Sequence, residues 1–323
     1  MSEELIIGVD HGYAAMKSVH FSFPSGLVPY EHEPYTQKDV LEYQGRYYVV
    51  GSGRQPLQKD KTQTEDYYLL TLAAIAKELE YRHAERTCSI TLAAGLPLTS
   101  FGRDKKKFRD YLLRDGRPAL FHYEGLEYAV TIRDVTLFPQ GYAAVLTQSG
   151  LLDEPSVIVA DIGGWTVDLM RLDTRLPNAA TCRSLEWGMI RCIDEISEQV
   201  RRTLGVSMTA AQIESVLRGD TSSLSDESKA VIHVQADRYV QSLLSAIMEC
   251  GLDTRAMPTV FLGGGAALLK RRIPPTNALC QPFILDDVCL NAKGYERLVG
   301  QMSLGPQPKP SATDSVGKGG ARE

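Results

Sequence analysis

Two aspartates stand where a carboxylate could help hold a polyphosphate. Asp10 follows the apolar run Ile6-Ile7-Gly8-Val9 and precedes His11-Gly12-Tyr13, while Asp161 follows Val157-Ile158-Val159-Ala160 and precedes Ile162-Gly163-Gly164-Trp165-Thr166-Val167-Asp168. Each run is β-forming and delivers an aspartate and then, within two residues, a glycine. A carboxylate is thereby placed at a strand end, beside backbone free to turn tightly and to approach a ligand. Two such loops facing one another could hold a Mg²⁺-bound polyphosphate, because hard oxygens and water suit Mg²⁺ and the N–H groups of a turn suit phosphate oxygens. A third segment, Val260-Phe261-Leu262-Gly263-Gly264-Gly265-Ala266-Ala267-Leu268-Leu269, reads as a strand, a triple glycine and a helix start. Glycines there let a flat or charged ligand lie against main chain whose N–H groups are unpaired. Neither a G-x-x-x-x-G-K-[ST] run nor a G-x-G-x-x-G run occurs in the chain.

Asp10-His11-Gly12 with Lys17, Asp161 to Asp168, and Gly263 to Ala266 resemble the phosphate-1, phosphate-2 and adenosine motifs of the actin superfamily of actins, heat-shock chaperone ATPases and sugar kinases. Val135-Thr136-Leu137-Phe138-Pro139-Gln140-Gly141-Tyr142-Ala143-Ala144 looks like its first connecting motif. Within the superfamily the chain is most similar to the ParM/StbA actin-like proteins that segregate bacterial plasmids. The resemblance implies an α/β chain with the actin-like ATPase fold, two ribonuclease-H-like lobes with a nucleotide cleft between them. It also implies that Asp10 and Asp161 position Mg²⁺, mainly through its waters, and that Gly12, Tyr13 and Ala14 wrap the β-phosphate with Lys17 as a point charge. Gly163, Gly164, Trp165 and Thr166 would hold the γ-phosphate side with Asp168 near them, and Gln140 would orient the attacking water. Gly263, Gly264, Gly265 and Ala266 would face the adenosine. The helix after Gly188 passes the adenosine in relatives, which brings in Gly188, Glu195 and Gln199. Two positions depart from the family: Tyr13-Ala14 replaces small hydroxyl residues, and Trp165 is bulky for a phosphate loop.

At 323 residues and 43% hydrophobic composition the chain can bury a large core and divide into two lobes. A net charge of −5 argues against a broadly basic nucleic-acid surface. Cys88, Cys182, Cys192, Cys250, Cys280 and Cys289 form no C-x-x-C pair, which reads as reduced thiols of a cytoplasmic protein rather than a zinc site. The sequence shows no secretory leader, and no apolar run approaches the ~18 residues of a membrane span.

Around the motifs, residues 5–30 read as a hairpin whose second strand is Met16 to Phe23, and residues 40–50 as another hairpin. Apolar spacing predicts a core-facing helix over Tyr67 to Tyr81, a buried strand over Ser89 to Pro97 and a basic helix over Phe101 to Leu113 with Lys105, Lys106 and Lys107 on a solvated face. Thr209 and Gln212 make a capping-box start for Ala210 to Arg218, and Gly251 stops a long helix that begins at Asp226. The expected division is a first lobe over 1–155 with a small subdomain inserted over about 31–130, a second lobe over 156–303 with an insertion over about 205–255, and a disordered tail over 304–323. Each lobe is expected to carry a five-stranded mixed sheet.

By this resemblance the protein is a filament-forming ATPase that polymerises with ATP (or GTP) and Mg²⁺ bound and depolymerises after hydrolysis. Its partners would be further copies of itself and a DNA-binding adaptor of a plasmid partition system, with no direct nucleic-acid contact and no membrane. The alternative is a non-filamentous superfamily member, either a small-molecule kinase or a chaperone-like regulatory ATPase. Gln140 is too weak a base for the kinase reading, and no separate substrate-binding domain is visible for the chaperone reading.

Overall fold

The computed structural model describes residues 5–53, 60–148, 150, 154–220, 223–273 and 277–303. The tail expected over 304–323 lies outside the described residues. The first half of the chain forms β1 (Leu5–His11), β2 (Ala15–Ser18), β3 (Ser22–Pro24), β4 (Leu27–Tyr30), β5 (Val40–Tyr43), β6 (Arg46–Val50), α1 (Asp66–Tyr81), β7 (Thr87–Leu96), α2 (Leu98–Leu113), β8 (Ala119–Tyr123), β9 (Leu126–Pro139) and α3 (Tyr142–Leu146). The second half forms β10 (Ser156–Ile162), β11 (Val167–Asp173), β12 (Leu176–Leu185), α4 (Met189–Leu204), α5 (Ala210–Arg218), α6 (Asp226–Glu249), β13 (Thr259–Leu262), α7 (Gly263–Leu269), β14 (Pro282–Ile284) and α8 (Leu290–Ser303).

Two sheets result, and one topology is used twice. The first begins β3-β2-β1-β7-β9, an antiparallel meander followed by two parallel strands reached through helices, and the second repeats that order as β12-β11-β10-β13-β14. The two Asp-Gly strands, β1 and β10, therefore occupy equivalent central positions. Among the described residues the second sheet has the five strands expected, but the first has nine. β9 is 14 residues long; its first three residues extend beyond β7, and on its other edge Leu126 to Val130 pair antiparallel with β8, from which β5, β6 and β4 continue the sheet. Within 31–130, β5, β6 and β8 are sheet extension, whereas α1 and α2 pack into the core of the first lobe with β7. The strand expected over Met16 to Phe23 is two strands, because Ser18 N–H donates to Phe21 C=O at 2.8 Å and closes a reversal between them.

Alternation along the central strands sets the layers. Ile7 and Val9 of β1 join α1, Phe108 and Leu112 in one core, while Ile158, Ala160 and Ile162 of β10 join α4, α5 and α6 in another. The capping box of α5 is formed, with Gln212 N–H donating to Thr209 Oγ1 at 3.3 Å and Thr209 N–H to Gln212 Oε1 at 2.9 Å. Helix α8 returns across the lobes and packs on β1, β7 and α3 of the first.

A buried ionic network fixes that return. Glu78 is fully buried on α1 and accepts from His20 N at 2.8 Å, His20 Nδ1 at 2.8 Å and Arg82 Nε at 2.9 Å. Arg82 also donates to Glu296 Oε2 of α8 at 2.9 Å, and the same carboxylate oxygen accepts from Gly8 N–H of β1 at 2.9 Å. Removing one partner strands the others without compensation in the interior. Glu78→Leu is expected to destabilise the protein by about 3–5 kcal/mol, read as a lowered urea midpoint at unchanged slope.

Candidate functional site

The two Asp-Gly loops face each other across a cleft of about 1130 Å³ between the sheets. In the first loop, Asp10 and Lys17 are cross-strand neighbours in the β1–β2 register, and Lys17 Nζ lies 3.1 Å from Asp10 Oδ2. The other oxygen, Asp10 Oδ1, accepts from Gln140 Nε2 at 2.7 Å. Gln140 follows directly on β9 and is 9% exposed, and among the described residues nothing occupies its amide oxygen. Strand alternation turns His11 the other way. Its Nε2 donates to Thr71 Oγ1 at 2.8 Å, since that hydroxyl is itself spent on Tyr67 C=O at 2.6 Å, and its ring meets Phe108 edge-on at 5.2 Å. Burial and the nearby Lys61 charge push the imidazole down to about 3, so His11 is a neutral core residue.

The second loop is a tight turn closed by Gly163 N–H donating to Thr166 C=O at 2.8 Å. Its carbonyls also cap the next helix: Met189 N–H donates to Gly163 C=O at 3.0 Å, Ile190 N–H to Gly164 C=O at 2.9 Å and Gly188 N–H to Trp165 C=O at 3.0 Å. Gly188 therefore supports the loop from behind. The loops meet at Ala14 and Gly164, where any Cβ on residue 164 would overlap the Ala14 methyl. Small residues at both places let the lobes close, which gives Ala14 a steric reason in place of a hydroxyl contact. Trp165 lines the cleft, and its buried Nε1 has no partner among the described residues.

Asp161 and Asp168 are directly opposed on β10 and β11. Asp161 Oδ2 accepts from Asn291 Nδ2 at 2.8 Å, and Asn291 Oδ1 accepts from Gly141 N–H at 2.9 Å. One α8 side chain thus ties Asp161 to the residue after Gln140. Gly263 (φ +88°) closes the other side, since a Cβ there would overlap Asp161 Oδ1. The two cleft aspartates differ in their electrostatics. Burial raises Asp10, but Lys17 and Lys61 outweigh it and hold the carboxyl below its usual range. Burial lifts Asp161 to about 6, with the Asp10 charge adding and Asn291 and Lys17 opposing. Burial also raises Asp168.

These residues fit a hydrated divalent cation. Both oxygens of Asp10 and Oδ2 of Asp161 already accept hydrogen bonds, which favours contact through water, and a dication would neutralise the elevated Asp161. Among the described residues no group of three or more His, Cys, Asp or Glu is placed to hold a metal directly.

Gly264 and Gly265 line the cleft, whereas Ala266 is fully buried in the second core, and Ala267 and Leu268 take the wall instead. Met189, Ile190, Ile193 and Leu217 make an apolar slot rimmed by Glu214, Arg218 and Lys270, suited to a flat base. Glu195 and Gln199 are not brought there. On α4 they share the outer stripe with Arg191, so Glu195 pairs with Arg191 at 2.8 Å and Gln199 donates to Thr203 at 3.0 Å. Lys61 and Asn291, which no sequence motif points to, also line the cleft. Lys61 sits in a charged turn and Asn291 at an ordinary helix start, and neither carries a local signal.

The first lobe, over residues 8–142, matches the model of the actin-like proteins N-terminal domain, and residues 159–274 match that of the archaeal actin homologue MreB-like C-terminal domain. Together the two matches cover most of the chain, which belongs to the actin-like proteins. An archaeal actin homologue solved in complex with ADP superposes with a TM-score of 0.71 at 19% identity, covering 92% of this chain and 99% of that one. A ParM from a 15-stranded filament of Clostridium botulinum gives 0.70 at 18% identity over 92% and 99%, and Bacillus thuringiensis ParM with ATP gives 0.67 at 15% over 93% and 100%. No curated protein sequence matches the chain. No described helix is long and apolar enough to cross a membrane.

Proposed function

We propose that the protein is an ATP-hydrolysing, Mg²⁺-dependent filament former that polymerises with nucleotide bound and disassembles after hydrolysis. The observation that carries this reading is the facing pair of Asp-Gly loops with Gln140 held between them by Asp10. The similar structures include an ADP complex, an ATP complex and filaments, which supports both the nucleotide and the self-assembly.

The β-phosphate would lie on the Gly12–Ala14 backbone with Lys17 beside it, and the γ-phosphate against Gly163 to Thr166. Asp10 and Asp161 would hold the Mg²⁺ waters, and the ion when bound supplies charge neutralisation on the phosphate oxygens. Gln140, fixed through its amide N–H₂, presents its oxygen to a water in line with the terminal phosphorus. Positioning and fixed charge are what phosphoryl transfer to water chiefly requires. A glutamine cannot accept the proton of a sugar hydroxyl as a carboxylate would, which favours hydrolysis over the kinase alternative. We further propose that the filament works in the cytoplasm to segregate plasmid DNA through a DNA-binding adaptor, a role that rests on resemblance to ParM alone.

Adding ATP and Mg²⁺ is expected to raise light scattering, to yield filaments in electron micrographs and to release phosphate after assembly, with ADP supporting neither signal. GTP in a parallel sample fixes the base preference. Phosphate transfer to a sugar without any rise in scattering would overturn the proposal in favour of a kinase.

A further inference from the structure

Lys61 is a buried cation with no carboxylate at ion-pair distance among the described residues. It is 7% exposed, it lines the cleft, and its Nζ donates to the carbonyl of His11 in the first phosphate loop. The ammonium also lies 4.9 Å from the Tyr13 ring centroid and 5.5 Å from that of Tyr67. Among the described residues no carboxylate comes within ion-pair distance of it, in contrast to Lys17, 3.1 Å from Asp10. The segment that carries it is anchored rather than loose. Asp60 accepts from Thr62 N–H at 2.9 Å and pairs with Lys107 of α2.

Ring faces and one carbonyl offset only part of the cost of burying an ammonium. A charge kept in such a place is explained by an anion that arrives with the ligand. Lys61 lines the cleft together with Gly12, Tyr13 and Ala14 of the first loop and Gly163, Gly164 and Thr166 of the second, and it feels the charges of Asp10 and Asp168, one from each lobe. Lys17 already neutralises Asp10 and serves the first loop, which leaves the far end of the polyphosphate for Lys61.

We infer that Lys61 binds the terminal phosphate of the nucleoside triphosphate and so distinguishes it from the diphosphate. The inference rests on the nucleotide reading of the cleft. Lys61→Met keeps the apolar stem and removes the charge, and Lys61→Arg keeps the charge. Calorimetric titration with Mg²⁺·ATP and Mg²⁺·ADP is expected to show Lys61→Met losing about tenfold or more in ATP affinity, with ADP affinity changed by less than about twofold. Lys61→Arg should recover most of the ATP affinity. Because the Met variant no longer buries an uncompensated charge, its nucleotide-free form should melt no lower than wild type. Equal losses for ATP and ADP, no loss for either, or a nucleotide-free Met variant that melts well below wild type would each overturn the assignment. Wild-type protein that bound neither nucleotide would instead bring down the reading of the cleft itself, and this inference with it.

Discussion

Replacing Gln140 with alanine is expected to slow phosphate release by about 100-fold or more while ATP binding and assembly survive. Among the described residues the amide makes one hydrogen bond, to Asp10, and its removal leaves Lys17 still neutralising that carboxylate. Assembly needs the closed, nucleotide-bound state rather than cleavage, so filaments of the variant should outlive wild-type filaments at equal ATP. Phosphate release and light scattering followed on one sample test both halves. Unchanged release would move the water-positioning role elsewhere. Lost release together with lost assembly would mean that Gln140 closes the cleft rather than aiming water. The neutral, core-bonded ring of His11 does not offer a substitute.

Asp161→Asn should have two effects of opposite sign. Hydrolysis in Mg²⁺ should fall by about 100-fold or more, because the carboxylate that orients the ion's waters is gone. The nucleotide-free protein should nonetheless become more stable at neutral pH. In the native state the Asp161 carboxyl titrates near 6 against an ordinary value of 3.8. The folded protein therefore holds this proton more tightly than the unfolded chain, and its stability falls as pH rises from about 4 through 6. Each unit of such a shift corresponds to about 1.4 kcal/mol, so roughly 3 kcal/mol is the ceiling of the gain from removing the charge. Urea midpoints of the two proteins should coincide near pH 4 and separate towards pH 7. A gap that did not grow with pH would place the titration on another group.

The parts of this site that could be read in the sequence are those fixed by neighbours along the chain. Asp10, Lys17, Asp161 and Asp168 each stand beside a turn whose glycines and flanking β-formers spell out strand, carboxylate and reversal, and the register then pairs Asp10 with Lys17 and Asp161 with Asp168. Gln140 was legible only through the resemblance of Pro139-Gln140-Gly141-Tyr142-Ala143-Ala144 to the family's connecting motif, and Gly141 (φ +72°) turns the backbone beside it. Lys61 and Asn291 were not. Their meaning comes from contacts made 50 and 130 residues away, with His11 and Asp161, and nothing around them announces a ligand site. Glu195 and Gln199 were misplaced for a related reason. Periodicity shows that α4 has an inner and an outer face but not which residues of the inner face reach the cleft; Ile190 and Ile193 do, and the Tyr239 hydroxyl donates to the Trp187 carbonyl at the helix start. The overhang of β9, and with it the nine-stranded sheet, is likewise a matter of relative strand lengths that no single segment encodes.

The return of α8 has a mechanical consequence. The chain crosses between lobes twice, once between α3 and β10 and again between β14 and α8, and α3 and α8 pack together beside these crossings. One covalent tether would leave a ball joint. Two tethers side by side define a line, and motion about a line has a single degree of freedom. Opening and closing about that line, like the covers of a book, is the motion such an arrangement would favour. Asn291 lies at that spine and touches both the Asp161 carboxylate and the backbone just past Gln140. Any such motion would shift the Asp161 carboxylate and the backbone beside Gln140 together, and so would couple closure of the cleft to alignment of the proposed site.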